Sequence, residues 1–112
     1  MSDCLFCKIA AGEIPSARVY EDDTVLAFRD IDPKAPIHFL VIPKAHIDSA
    51  ASIDSSNSKV VAHIFEVIAE TAKKEGAGSF RVVTNCGEQA GQSVGHLHFH
   101  VLAGRDLTWP PG

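Results

Sequence analysis

His96-Leu97-His98-Phe99-His100-Val101-Leu102 alternates imidazole with apolar side chains up to its last two positions. Alternation at a period of two marks a β-strand whose two faces meet different surroundings, because successive side chains point to opposite sides. The pattern predicts a strand through these residues, with Leu97, Phe99 and Val101 entering a core and all three histidines on the other face. At about 3.3 Å per residue, histidines two apart lie roughly 6 to 7 Å from each other, close enough for neighbouring rings to address one small anion or one metal. A polar, solvated face would account for polarity but not for three histidines in strict alternation.

Residues 86–95 read as a loop holding Gly87, Gly91, Gln92, Ser93 and Gly95 that leads straight into the histidine strand, and 80–85 as another strand. Residues 38–42 form a strand by β-branched and aromatic content, with His38, Leu40 and Ile42 on one face and Phe39 and Val41 on the other; Pro43 stops it and His46 follows in a loop. Residues 18–20 and 25–30 read as a hairpin joined by Glu21, Asp22 and Asp23. The one long helix spans 57–75, with Val60, Val61, Ile64, Phe65, Ile68 and Ala72 on one stripe, Asn57 at its start and Gly76 at its end. His63 lies off that stripe and is assigned to the surface with no function. A helical turn over residues 3–11 carries Cys4 and Cys7. The order β-β-β-α-β-β and its short connections predict an α+β chain: a five-stranded antiparallel sheet with one long helix on a face and a short N-terminal helix.

The 112 residues suit a single domain, and a hydrophobic fraction of 46% argues against disorder. A net charge of -4 argues against a sequence-independent grip on nucleic acid, which needs clustered Lys and Arg, but leaves room for a single nucleotide. No signal peptide is recognisable and no apolar run reaches the roughly eighteen residues of a membrane span, so a soluble cytoplasmic chain without membrane partners is expected. Three cysteines are present. In a reducing compartment, Cys4-Leu5-Phe6-Cys7 reads as a metal half-site or redox pair sooner than a disulfide. A thioredoxin-like motif would need a preceding strand, for which the three residues before Cys4 leave no room. The alternative is a pair of buried or free thiols.

The His-φ-His-φ-His-φ-φ run, φ being apolar, resembles the signature of the histidine triad (HIT) family, and matching segments along nearly the whole chain resemble its nucleotide-binding branch. The resemblance implies one HIT domain over 1–112 with a tail at 104–112, and a homodimer in which two subunits join their sheets. It implies a nucleophile at His98, phosphate-contacting histidines at His100 and His38, Ser93 near the leaving group and Asn85 lining the same pocket. Arg29-Asp30-Ile31-Asp32-Pro33 resembles the nucleoside-contacting stretch, with Asp30 toward ribose hydroxyls and Ile31 beside the base. From its residues alone, Asp30 would be an ordinary strand-end residue starting a turn. Zinc takes four Cys or His ligands in structural sites. Cys4 and Cys7 would supply two, and His46 and His96 are the candidates for the others, as in the zinc-binding members of the family.

The activity implied is that of a purine nucleoside phosphoramidase or nucleotidyl hydrolase acting on AMP-amine bonds, such as those of adenosine phosphoramidates, through a covalent nucleotidyl-histidine. A dinucleoside polyphosphate hydrolase and a nucleotide-binding interaction protein with incidental turnover are the alternatives. A catalytic metal held by the three triad histidines is the rival mechanism; no carboxylate near the motif is apparent in the sequence to act as its base. Cys86 has no partner in this scheme. Trp109, in the ending Thr108-Trp109-Pro110-Pro111-Gly112, would approach the partner subunit's active site. Gly95 stands where the family often carries a bulkier side chain, a departure expected to alter which leaving groups fit.

Overall fold

A computed structural model describes residues 3–112. The chain runs α1 (Leu5–Ala10), β1 (Arg18–Glu21), β2 (Val25–Arg29), β3 (Ile37–Pro43), α2 (Ser58–Lys74), β4 (Phe80–Val83) and β5 (Phe99–Ala103). Asp22 sets the first hairpin: its Oδ1 accepts hydrogen bonds from the backbone N–H groups of Thr24 and Val25, each at 2.9 Å. Such carboxylate capping of a turn replaces water for two amides that the bend would otherwise leave unpaired. The sheet order is β1-β2-β3-β5-β4 with every neighbouring pair antiparallel. β5 thus lies between β3 and β4, and the α2 crossover carries the chain past it to the far edge.

The period of two sorts the sheet's side chains between two cores. Val25, Ala27, Phe39, Val41, Leu97, Phe99 and Val101 pack against Ile64, Val67 and Ile68 of α2. Leu26, Phe28, Leu40 and Ile42 face the other way and meet Phe6 and Ile9 of α1. The histidines share this second face, which the short helix covers: Phe6 stands edge-on to both His96 and His98, with ring centroids 6.0 and 5.1 Å apart.

The ladder of β5 begins at Phe99, three residues later than the alternation predicts. Its register on β3 pairs Val41 with Phe99 and would next oppose Leu97 to Pro43, which has no N–H to donate. Leu97 N–H instead donates to Ile47 O at 2.7 Å. The side-chain alternation survives although the strand hydrogen bonds do not. On α2, Val67 and Thr71 are buried and Phe65 is half exposed, so the buried stripe is rotated from the expected one. Asn57 precedes the helix but makes no side-chain cap bond. Among the described residues, no helix is long and apolar enough to cross a membrane.

Candidate active site and metal centre

A cavity of about 260 Å³ opens between α1 and the ends of β2 and β5. Leu5, Phe6, Ile9, Phe28, Leu40 and Val94 give it apolar walls, and Asp30, Ser93, His98 and His100 bring polar groups to it. Ile31 stands fully exposed on its rim. The structure therefore brings together five of the residues singled out in the sequence. Asn85 is not on the cavity wall; its side chain lies beside Gly91 in the loop behind. His38 is buried behind His100.

Hydrogen bonds fix the tautomers of the three rings. His98 Nδ1 lies 2.7 Å from the carbonyl of His96, which can only accept, so Nδ1 carries the proton and Nε2 keeps its lone pair. The backbone N–H of Lys34 donates to His38 Nδ1 at 3.0 Å, which leaves the His38 proton on Nε2. That nitrogen is 3.0 Å from His100 Nδ1 and 3.4 Å from Asp30 Oδ2. His100 then accepts at Nδ1 and holds its own proton on Nε2. Burial, followed by the neighbouring rings of His98 and His38, pushes His100 down to about 4, and burial also lowers His38, so both are neutral near pH 7.

Asp30 corrects the expectation that no carboxylate lies near the motif: its Oδ2 is 3.9 Å from His100 Nδ1. Sequence distance hid it, because β2 and β5 are separated by β3 in the sheet. Asp30, His38 and His100 have their donor atoms grouped tightly enough for a cation. The Lys34 N–H aimed at His38 Nδ1 nonetheless keeps a proton on Nε2, so the trio forms a hydrogen-bond chain and not a metal cup. Asp30 Oδ1 meanwhile accepts from the Asp32 N–H at 2.8 Å, folding the 30–34 turn back so that Lys34 reaches His38.

Cys4, Cys7, His46 and His96 form a second group, able to hold a metal. Cys4 Sγ is 3.3 Å from His96 Nδ1, and Cys7 Sγ is 3.3 Å from His46 Nδ1 and 3.5 Å from His96 Nδ1. A tetrahedral zinc with bonds of about 2.3 Å to sulfur and 2.0–2.1 Å to nitrogen requires S···N edges of about 3.5 Å. Both rings also present the right nitrogen. His96 Nε2–H donates to Pro43 O at 2.8 Å and His46 Nε2 meets Asp48 Oδ1 at 2.8 Å, leaving each Nδ1 free for the cluster. Burial and the neighbouring Cys4 raise the Cys7 thiol above its ordinary value, a cost that a bound cation would reverse.

The loop between β4 and β5 joins the two centres. Gly87 and Gly91 take φ of +92° and +94°, conformations that suit glycine, and bend it around a short 3-10 turn at Glu88–Ala90. Gln92 pins it: its Oε1 accepts from Gly87 N–H at 2.9 Å, and its Nε2 donates to Asp48 O at 2.9 Å and Val94 O at 3.0 Å. Gln92 carried no signal in the sequence beyond its place in a glycine-rich loop, and neither did Leu5, Phe6 or Ile9 as cavity walls. Cys86 is exposed in the same loop, 3.4 Å from Ser49 Oγ. His63 lies partly exposed on the surface but is not idle, being paired with Asp22 at 2.7 Å and Glu66 at 3.0 Å.

Comparisons with known proteins agree with this fold. The family model described as "Scavenger mRNA decapping enzyme C-term binding" matches residues 3–107. A histidine triad protein from Clostridium difficile is 54% identical, each chain being covered to 96%, and superposes with a TM-score of 0.93. A HIT family hydrolase from Legionella pneumophila is 47% identical over 98% of this chain and 100% of its own, with a TM-score of 0.95. A HIT-like protein of Synechocystis is 44% identical over 111 residues, 98% of this chain and 97% of that one. The relatives share this α+β fold over nearly the whole chain, and the chain belongs to the histidine triad family.

Proposed function

We propose that the protein is a nucleotidyl hydrolase that cleaves the P–N bond of purine nucleoside 5'-phosphoramidates, AMP-amines foremost, with His98 as nucleophile. The observation that carries this reading is the 2.7 Å bond from His98 Nδ1 to the His96 carbonyl, which leaves a lone pair on Nε2 of a ring lining the cavity. Nε2 attacks phosphorus, a P–N bond to the imidazole forms, and the bond to the amine breaks as the amine nitrogen takes up a proton. Ser93, on the same wall, is assigned to donate a hydrogen bond to that leaving group. His100 Nε2–H donates to a non-bridging oxygen, with His38 holding its tautomer. Water then attacks phosphorus, the P–Nε2 bond breaks, a proton is released and AMP departs. The relative from Legionella being named a hydrolase supports this class of reaction.

Asp30 and Ile31 are assigned to the ribose and base, and Asn85 to supporting the loop behind the pocket. Zinc held by Cys4, Cys7, His46 and His96 is assigned a structural role, anchoring α1 over the cavity it lines. Its four donors are all supplied by the protein, which leaves no open position for chemistry. The three free cysteines fit a reducing cytoplasm. A homodimer joined across β4 is supported by the place of that strand at the sheet edge and by the exposure of Phe80 and Phe65. Arg81 of β4 holds Thr108 O at 2.9 Å, directing the tail with Trp109 along the same edge.

The test is amine release from an adenosine 5'-phosphoramidate bearing a fluorescent amine. Release that disappears in His98→Ala, with AMP binding retained, supports the proposal. Full turnover by that variant overturns the covalent route. Binding without turnover by the native chain would move the reading to a nucleotide-binding protein or to the dinucleoside polyphosphate alternative.

A further inference from the structure

We propose that Arg105 is a positioning residue for the reaction: by gripping the carbonyl of Lys34 it decides which way the hydrogen bonds run through His38 to His100, and so keeps a proton on the His100 nitrogen assigned to the phosphate. That last link, to the phosphate, rests on the phosphoramidase reading. The register that pairs Ile37 with Ala103 sets Gly104 opposite Pro36, which has no N–H to continue the ladder between β3 and β5. Gly104 takes φ of +94°, and a Cβ on it would stand 2.9 Å from the Pro36 Cβ, so glycine alone lets the two segments run this close. Arg105 then bridges where the backbone no longer can. Its Nε and Nη2 donate to Lys34 O at 3.2 and 3.0 Å, and its Nη1 donates to Asp106 O at 3.0 Å. A planar guanidinium spent in this way on main-chain carbonyls fixes the path of the backbone.

The path matters because Asp30 leaves the direction of the chain open. Its Oδ2 lies 3.4 Å from His38 Nε2 and 3.9 Å from His100 Nδ1, and a carboxylate favours a proton on either nitrogen. Two arrangements satisfy the 3.0 Å contact between the rings. In one, His38 donates from Nε2 and His100 carries its own proton on Nε2. In the other, His100 donates from Nδ1, His38 is protonated on Nδ1, and His100 Nε2 turns a lone pair toward the phosphate oxygen, replacing attraction by repulsion. What separates them is the Lys34 N–H, 3.0 Å from His38 Nδ1, because a protonated Nδ1 cannot accept it. Residues 31–34 are exposed and belong to no helix or strand. The Lys34 amide is therefore steadied from its two sides, by the bond of Asp32 N–H to Asp30 Oδ1 before it and by Arg105 on the Lys34 carbonyl after it.

The test uses Arg105→Met, which keeps the stem and removes the donors, and Arg105→Lys, which returns one. Long-range proton–nitrogen NMR correlation of the full chain at about pH 8, above the ordinary histidine range, reads the tautomer of each ring without substrate. Native protein should show His38 and His100 protonated on Nε2. Arg105→Met should show mixed tautomers at both rings and lose at least about tenfold in kcat/KM on an adenosine 5'-phosphoramidate, part of the roughly hundredfold or more that full loss of such a donor costs. Arg105→Lys should fall between the two in both readouts. Native tautomers in Arg105→Met overturn the proposal even where turnover falls, because loosened packing would then suffice. Mixed tautomers with undiminished turnover overturn it as well, by cutting the link from Arg105 to the reaction. A native chain that hydrolyses no phosphoramidate defeats the phosphoramidase reading, while the NMR pattern still decides whether Arg105 sets the direction of the chain.

Discussion

His38 Nε2 stands 3.0 Å from His100 Nδ1 with Asp30 Oδ2 at 3.4 Å on its flank, so a buried neutral ring and a partly buried one share one proton path that begins at a backbone N–H of Lys34. Both rings sit below the ordinary value, His100 at about 4, with burial as the leading cause. In the unfolded chain they would titrate near 6.5, so between about 4 and 6.5 the unfolded state binds more protons than the folded one. The stability that depends on keeping them neutral is complete above 6.5 and is lost as pH falls toward 4. The melting temperature should drop by roughly 5 to 10 °C between pH 7 and pH 5. A pH series of thermal melts on native protein and His100→Gln checks this; the variant should show a visibly shallower acid limb, and an equal slope would reject the assignment.

His63 should show the opposite sign. Its hydrogen bonds to Glu66 and Asp22 raise its value above 6.5, so its contribution is fully present below 6.5 and disappears as pH rises through the raised value. The pair with Asp22 ties α2 to the β1–β2 turn. Because the ring is partly exposed and screened, the effect is small: His63→Ala should lower the melting temperature by about 2–4 °C at pH 6 and leave it unchanged at pH 9. An equal loss at both pH values would show that packing, not charge, is responsible.

The contrast between the His38–His100 pair and His63 shows how far a sequence could be read. Period-two alternation sent Leu97, Phe99 and Val101 into a core, which proves to be the one under α2, and His96, His98 and His100 to the opposite face, because side-chain direction follows local backbone geometry alone. It did not place the start of β5, because that depends on which residue of β3 lies opposite, and Pro43 there has no N–H. The resemblance named Asp30, His38 and His100, but the hydrogen bonds among them were illegible for the same reason: they are assembled by register across three strands. His63 lay on the surface as its helical phase requires, yet its tie to Asp22 crosses 41 positions of sequence, and no periodicity reports such a partner. The metal ligands were recognisable only as residue types; their tautomers come from Pro43 O and Asp48, contacts made by the folded chain.

Metal loading should govern α1 as a unit. Cys4 and Cys7 bracket Leu5 and Phe6, so a cation bound by the thiolates fixes two cavity walls at the same time. Protein purified under reducing conditions should carry about one zinc per chain. The double variant Cys4→Ala, Cys7→Ala should carry none, melt lower and bind AMP about tenfold more weakly, a coupling within the range of roughly 1–3 kcal/mol found between linked sites. Zinc content by elemental analysis and AMP affinity by calorimetry measure these separately. Full loading of the double variant rejects the site; unchanged AMP affinity after zinc loss rejects the coupling.

Gln92 should matter to turnover although it does not line the cavity. Its amide receives Gly87 N–H and donates to Asp48 O and Val94 O, so it holds the residue next to Ser93 against the loop that carries His46. Gln92→Glu keeps the shape and the acceptor but replaces the donor with an oxygen, turning two favourable contacts into repulsive ones against the carbonyls. Loss of such bonds costs about 1–3 kcal/mol, much of it spent in letting the loop move. Ser93 is assigned to the leaving group and not to the nucleoside, so the loss should fall on kcat, by about tenfold or more, with AMP affinity held within about twofold. Steady-state kinetics and AMP titration of the one variant decide the matter: a fall confined to affinity would place Gln92 with the nucleotide pocket, and no change in either would leave it as packing of an exposed loop.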